Sequence, residues 1–393
     1  YFPITTESEV ARVYRFKRGS GLPLLVPVLD MIEIGAGGGS IAHVNALGLP
    51  AVGPESAGSQ PGPVCYGRGG EAPTVTDADL ILGYLNASHF LGGEMVLDVA
   101  QTEGAIDELA NQLELTQIEM ALGIHDLVNE NMANAARVHA AERGKDLDGY
   151  ALVATGGAGP VHACGVAKRL GVNRVIVPPV AGVGSAFGLM LAPIAFDYAR
   201  SYVTRLEMLD VKRVNGLYDE MEQEGMAVLA KARVETDEVR LMRSADMRYV
   251  GQGHEIRVEI PNGHLGPLAI VRVQKAFDEA YARLYGRVCE GVPVEVIHWR
   301  VTVSGPKPVL GEGQKIKEER PDSTALKGVR WVIFDAKEGA VSVPVYDRYN
   351  LQDGFALGGP LIVEENESTT VVPPDWSMDV AHGGYLVLSR EGV

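Results

Sequence analysis

An α/β protein with a β-rich C-terminal part is the fold class this sequence predicts, and three observations predict it. Tyr150–Ala154 (YALVA), a glycine turn at Thr155–Pro160, a helical stretch at Val161–Leu170 and a second apolar run at Arg174–Val177 follow one another directly. Strand, turn, helix, strand is the pattern of a βαβ crossover, which implies a parallel pair. Beyond Ala199 the texture changes to short alternating runs separated by turn residues, the mark of a second, β-rich α+β domain. Finally, 46% of the 393 residues are hydrophobic, enough for two or three domains whose cores need no disulfide staples.

The elements follow in order. Leu24–Ile34 reads as extended chain leading into glycines. From Gly35 to Gly70, Gly and Pro recur too often for a regular helix or a central strand. Yet Ile41, Val44, Leu47, Val52, Val64 and Tyr66 lie within it, so an ordered functional loop is expected rather than a linker. A helix over Gln101–Leu113 has Ala105, Ile106, Leu109 and Ala110 on one face. The next begins at the capping box Thr116/Glu119, carries Met120, Ile124, Leu127, Val128 and Met132 as its stripe, and stops at Gly144. Gly171 closes the helix of the βαβ unit. Later come helices at about 211–234 and 268–285, with strands at 248–250, 254–260, 294–303, 329–334, 340–345, 360–363 and 385–388. The expected division is 1–199 and 200–393.

Net charge is −16. No dense Lys/Arg stripe is available for a nucleic-acid backbone or an anionic membrane, whereas a nucleotide or small anion can still bind at a helix terminus. Cys65, Cys164 and Cys289 are odd in number and far apart, a poor disulfide or zinc framework that fits a reducing, cytoplasmic setting. No apolar run reaches the ~18 residues of a membrane span. A start at Tyr1 without Met or signal pattern suggests processing or truncation.

Two glycine clusters are candidates for ligand contact. Gly156-Gly157-Ala158-Gly159 separates a strand from a helix N-terminus, where backbone N–H groups and the helix dipole favour a phosphate or ribose; tight strand–helix packing explains the same residues. Gly37-Gly38-Gly39-Ser40 suggests a backbone cradle, or else a hinge. Glu55 is a candidate catalytic residue, and Ser56 and Arg68 are candidates to face a carbonyl or anionic substrate. Asp77 is a candidate catalytic group or Mg²⁺ ligand, and equally a candidate helix N-cap. The histidines show no metal-ligand spacing: His125 and His139 are fourteen apart on one helix, and His43, His162 and His254 stand alone. Cys164, inside a helix, makes a poor nucleophile.

The strings IGAGGGSIA, VGPESAGSQPGPVCYGRGG, PTVTDADLILGYL, TGGAGPVHA and SAFGLM, in this order, resemble the hydantoinase/oxoprolinase family. So do MRYVGQGHEI, RLYGR, VEVIHWR, PVYDR and GGPLIVEENESTTVVPPDW further on. That family includes ATP-dependent N-methylhydantoinases, 5-oxoprolinases and ketone carboxylase subunits. The resemblance implies part of an actin-like, sugar-kinase-like ATPase lobe over 1–199, followed by the family's C-terminal domain. It implies ATP and Mg²⁺ as cofactors, with Gly156, Gly157 and Gly159 near the adenosine. It implies phosphorylation of a carbonyl oxygen in a cyclic amide, or in a ketone enolate before carboxylation, and a second large subunit as partner. No Asp-Gly-Gly-Thr-like phosphate loop is present, so this stretch by itself is expected not to hydrolyse ATP. Two other readings stand beside this one: a fragment that only binds a partner subunit, and a sugar-kinase-like phosphotransferase, which would want a catalytic Asp near the glycine cluster.

Overall fold

A computed structural model describes residues 4–7, 26–29, 32–308 and 325–390. Part of the expected extended segment at Leu24–Ile34 lies outside them. In chain order the first elements are β1 (Ile4–Glu7), β2 (Val26–Leu29), β3 (Ser40–Val44), β4 (Pro50–Ser56), α1 (Val75–Ile81), α2 (Val99–Asn111), α3 (Gln117–Glu142), β5 (Leu152–Val153), α4 (Gly159–Leu170) and β6 (Arg174–Val177). Next come α5 (Gly184–Leu191), β7 (Ala195–Arg205), α6 (Val211–Lys231), β8 (Arg240–Tyr249), β9 (Ile256–Ile260), α7 (Ala269–Tyr285) and β10 (Val294–Ser304). The last are β11 (Leu326–Ile333), β12 (Ala340–Asp347), β13 (Ala356–Gly358), β14 (Leu361–Glu364), β15 (Thr369–Val372), β16 (Trp376–Ala381) and β17 (Tyr385–Arg390).

The chain divides into two compact units, one of Tyr1–Phe187 with Lys315–Val393, the other of Gly188–Gln314. The last strands fold back onto the first unit, so these compact units are not contiguous stretches of chain. β17 lies antiparallel to β6, with Leu388 opposite Val175, and extends a five-stranded sheet ordered β13-β16-β17-β6-β5. β5 and β6 are the parallel pair that the βαβ pattern predicts. Which sheet a strand joins is set by long-range pairing, and an alternating pattern read locally carries no such information.

Two cores fill the first unit. One joins Val75, Ile106, Ile124 and Val128 of α1–α3 to Val332, Val343 and Ile362 of the sheet β11-β12-β14-β15. The other packs Ala163, Cys164 and Ala167 of α4 against Val175, Trp376 and Leu388. α3 starts as its capping box requires, with the Thr116 side chain accepting from Glu119 N and Glu119 reaching back to Thr116 N at 2.9 Å. The 35–70 segment is ordered around a hairpin of β3 and β4.

In the second unit an antiparallel sheet ordered β7-β10-β8-β9 shares a core with α6 and α7. Tyr218 and Met221 of α6, Phe277 of α7 and Trp299 of β10 are fully buried there.

Candidate functional site

Helix α1 begins at the capping box Thr74/Asp77, so Thr74 is the N-cap, not Asp77. The Asp77 carboxylate accepts from Val64 N, Cys65 N, Thr74 N and Thr74 Oγ1 at 2.7–3.1 Å. Three of these donors fall on Oδ2 and one on Oδ1, and Asp77 is fully buried and does not line the cavity described below, so it is not placed to meet Mg²⁺ or substrate there. The candidate catalytic and metal residue is instead the staple that holds the 64–65 turn to α1.

Two residues on, Asp79 faces two imidazoles. Its Oδ1 is 2.7 Å from His125 Nδ1, and its Oδ2 is 3.2 Å from His162 Nε2. The His125 and His162 rings stack with centroids 4.6 Å apart. His162 Nδ1 is 3.0 Å from Asn129 Oδ1. His125 and Asn129 are four apart and so share one face of α3. His162 lies in the first turn of α4, and Gly165 makes the close helix approach possible: a Cβ there would stand 2.5 Å from Asn129 Nδ2. All three members are buried, at 2%, 9% and 1% exposure for Asp79, His125 and His162. Burial alone would raise the Asp79 pKa, but His162 and His125 outweigh it and hold the carboxyl at about 2. Burial also pushes His125 down, towards the neutral ring.

Asp79 forms part of the wall of a cavity of about 450 Å³. Both glycine clusters line it, through Gly38 and Gly39 on one side and Gly157 and Ala158 on the other. Thr76 N and Oγ1 both donate to Gly38 O at 2.8 Å, which ties the first cluster to the start of α1. A Cβ on residue 38 would stand 2.8 Å from Thr76 Oγ1, so it is the close approach to the start of α1 that favours glycine here; Ala158 Cβ, at 3.4 Å, would be in ordinary contact. Gly157 is exposed, with the N-terminus of α4 directly behind it. The EENEST turn of residues 364–369, between β14 and β15, supplies another wall. Its Glu364 is buried and paired with Lys327 at 2.5 Å and with Arg330. Burial raises the Glu364 pKa, but those two cations prevail and hold it below the usual range. Glu365, with Arg348 at 3.3 Å, is instead pushed up by burial.

The other sequence candidates separate. Arg68 lines the cavity, its guanidinium 5.9 Å from the Tyr66 ring centroid. Ser40 is buried, and its hydroxyl accepts from Gly37 N at 3.0 Å, so it shapes the loop and does not line the cavity. Glu55 and Ser56 are exposed at the end of β4 and do not line the cavity; Ser56 Oγ accepts from Gly58 N at 3.2 Å. Sequence reasoning missed the Asp79–His125–His162 group, reading His162 as isolated and setting His125 beside His139. The one available signal was that Asp79 and His162 both sit inside motif strings, PTVTDADLILGYL and TGGAGPVHA.

The comparisons with known proteins bear on this geometry. Residues 2–198 match the hydantoinase/oxoprolinase family model, and residues 204–382 match the model of the hydantoinase/oxoprolinase C-terminal domain. The chain belongs to the hydantoinase/oxoprolinase family. It is 34% identical over 364 residues to the caprolactamase subunit alpha of Pseudomonas jessenii, covering 90% of this chain and 52% of the relative. It is 35% identical over 377 residues to the acetophenone carboxylase gamma subunit of Aromatoleum aromaticum, covering 92% and 51%. The nucleotide-free structure of an ATP-dependent acetone carboxylase superposes with a TM-score of 0.83 at 26% identity, over 99% of this chain and 55% of that one. The chain thus spans about half the length of these relatives. Both expected chemistries, on lactams and on ketones, stand among the relatives' names. No helix among the described residues is long and apolar enough to cross a membrane.

Proposed function

We propose that this chain is the part of an ATP-dependent enzyme that closes one side of its nucleotide and substrate cavity, and that the enzyme hydrolyses a cyclic amide of the hydantoin or 5-oxoproline kind. The observation that carries the reading is that Gly38 and Gly39 on one side and Gly157 and Ala158 on the other line a single cavity. Backbone so exposed, beside a helix N-terminus, suits phosphate and ribose oxygens. Gly38, Gly39, Gly157 and Ala158 would hold the nucleotide, with Gly37, Gly156 and Gly159 shaping the turns. Mg²⁺ travels with ATP by family resemblance. Asp77 does not fit it, and no step here is routed through Mg²⁺.

The chemistry follows from the leaving group. An amide oxygen leaves poorly; once ATP has phosphorylated it, one water can add at the carbon and the ring C–N bond can break to give the amine and an acyl phosphate, and a second water then releases phosphate and leaves the carboxylate. This chain's residues would orient the carbonyl against the nucleotide, with Arg68 at the rim meeting negative charge. The partner is a second large subunit, as the word subunit in the names of the caprolactamase and acetophenone carboxylase relatives suggests. A second reading, ATP-dependent carboxylation of a ketone, is supported by the acetophenone carboxylase relative and by the 0.83 superposition. It shares the phosphorylation step and differs in what attacks afterwards.

The test is ATP turnover by the full-length protein with its co-expressed partner, offered hydantoin, 5-oxoproline and caprolactam in one series and acetone and acetophenone with bicarbonate in another. Turnover confined to the second series would displace the cyclic-amide reading. In the same protein, Gly157→Asp puts a carboxylate beside Glu367 O, 3.3 Å from the new Cβ. It is expected to weaken ATP binding at least 10-fold through charge and bulk. Unchanged affinity would remove that turn from the nucleotide site.

A further inference from the structure

We propose that Asp79, His125 and His162 bind a divalent transition-metal ion of the Zn²⁺ class beside the cavity. Three observations meet in this assignment. First, His125 Nδ1, His162 Nε2 and a carboxylate oxygen of Asp79 lie within 4.8 Å of one another. In a tetrahedral site with bonds of about 2.0–2.1 Å the ligand atoms stand about 3.3 Å apart, so the widest pair must close by up to about 1.5 Å to share one ion. Second, the buried Nε2 of His162 has no hydrogen-bond partner, although Asp79 Oδ2 is 3.2 Å away. Asn129 Oδ1 lies 3.0 Å from Nδ1 of the same ring; a neutral ring that meets it with an Nδ1 proton keeps a lone pair on Nε2. A lone pair and a carboxylate oxygen then face each other inside the protein, an arrangement that asks for a cation between them. Third, Asp79 is among the residues that line the cavity, so an ion held by this group would lie next to it.

The donor set selects the kind of ion. Two imidazoles and one carboxylate suit Zn²⁺, Mn²⁺, Fe²⁺ or Co²⁺, whereas Mg²⁺ takes oxygen ligands and keeps its waters. Asn129 is the outer partner that would fix the His162 tautomer, as outer-shell groups commonly do for ligating histidines. The site would therefore be distinct from any Mg²⁺ carried in by ATP. Its use rests on the function proposed above: an ion here would polarise the carbonyl oxygen of a substrate in the cavity.

The experiment uses the full-length protein freed of metal by chelator, then titrated with Zn²⁺ and separately with Co²⁺. The expected result is one tightly held equivalent by elemental analysis, and Co²⁺ ligand-field absorption of a four- or five-coordinate site. His125→Gln and His162→Gln are each expected to lower affinity at least 100-fold, and Asn129→Ala about 10- to 100-fold. His254→Gln, on the exposed surface, should leave binding unchanged. Circular dichroism on each variant separates loss of a ligand from loss of fold. A folded wild-type chain that takes up no stoichiometric ion would overturn the proposal, as would an equivalent retained by folded His162→Gln. Stoichiometric binding in an enzyme whose ATP turnover ignores cyclic amides would leave the metal site standing and remove only the hydrolase reading.

Discussion

Two buried aspartates, one in each unit, show how the same side chain serves different ends. Asp246 on β8 lies inside the second unit at 4% exposure, with Arg300 Nε at 2.6 Å from one oxygen and Arg257 Nε at 3.5 Å from the other. Its partners are guanidinium groups, which stay charged at any pH a protein meets. Asp79 of the first unit is as deeply buried, yet its partners are imidazoles, which can give up a proton or take a metal, and one side of it opens on a cavity. Asp77 and Glu364 belong with Asp246: the first is held by backbone N–H groups and Thr74, the second is paired with Lys327 and Arg330. Carboxylates held in this way by donors that stay charged or by backbone N–H groups serve the fold.

The contrast can be tested through stability, from the largest effect downwards. Asp246→Ala leaves Arg300, buried at 7% exposure, without its carboxylate. Loss of about 3–5 kcal/mol is expected, read as a fall in the urea midpoint of the intact chain. A change below about 1 kcal/mol would mean that the pair is not a structural lock. Asp77→Ala should cost about 2–4 kcal/mol, since it strands buried N–H donors at Val64 and Cys65 and removes half of a capping box. It should also leave metal uptake at Asp79 within a few-fold of wild type where the fold survives. Uptake abolished in a folded Asp77→Ala protein would blur the distinction between the two positions.

The smallest effect is a pH dependence. Because its folded pKa is depressed, Glu364 contributes stability that is fully present above the unfolded value of about 4.3 and is lost as pH falls through the folded pKa. Glu364→Gln is expected to cost about 1–2 kcal/mol at pH 7, and the gap between variant and wild type should close as the pH is lowered below about 4. Parallel midpoint curves from pH 7 to pH 3 would argue that the Lys327 and Arg330 pairs do not control this group.

Much of the local structure was legible from residue order. The Thr116/Glu119 capping box, the stripe of α3, the βαβ turn at 155–160 and both glycine clusters each depend on residues a few positions apart, where hydrogen bonding and periodicity act directly. Four donors converging on Asp77 were not legible, because two of them come from residues 64 and 65, across a turn. His162 looked isolated for a related reason: its neighbours are 33 to 83 positions away along the chain, in α1 and α3.

The sequence by itself determined the family, the α/β character, the cap and turn chemistry, and the two small-residue stretches where backbone can come close to a ligand. Tertiary structure alone decided that those stretches line one cavity, that strands after residue 325 complete the first unit, and that Asp79, not Asp77, lies against two histidines. The physical reason is range. Caps and turns are fixed by bonds within one helical turn, whereas a cavity wall is made by helix packing and strand pairing between segments separated by tens to hundreds of residues.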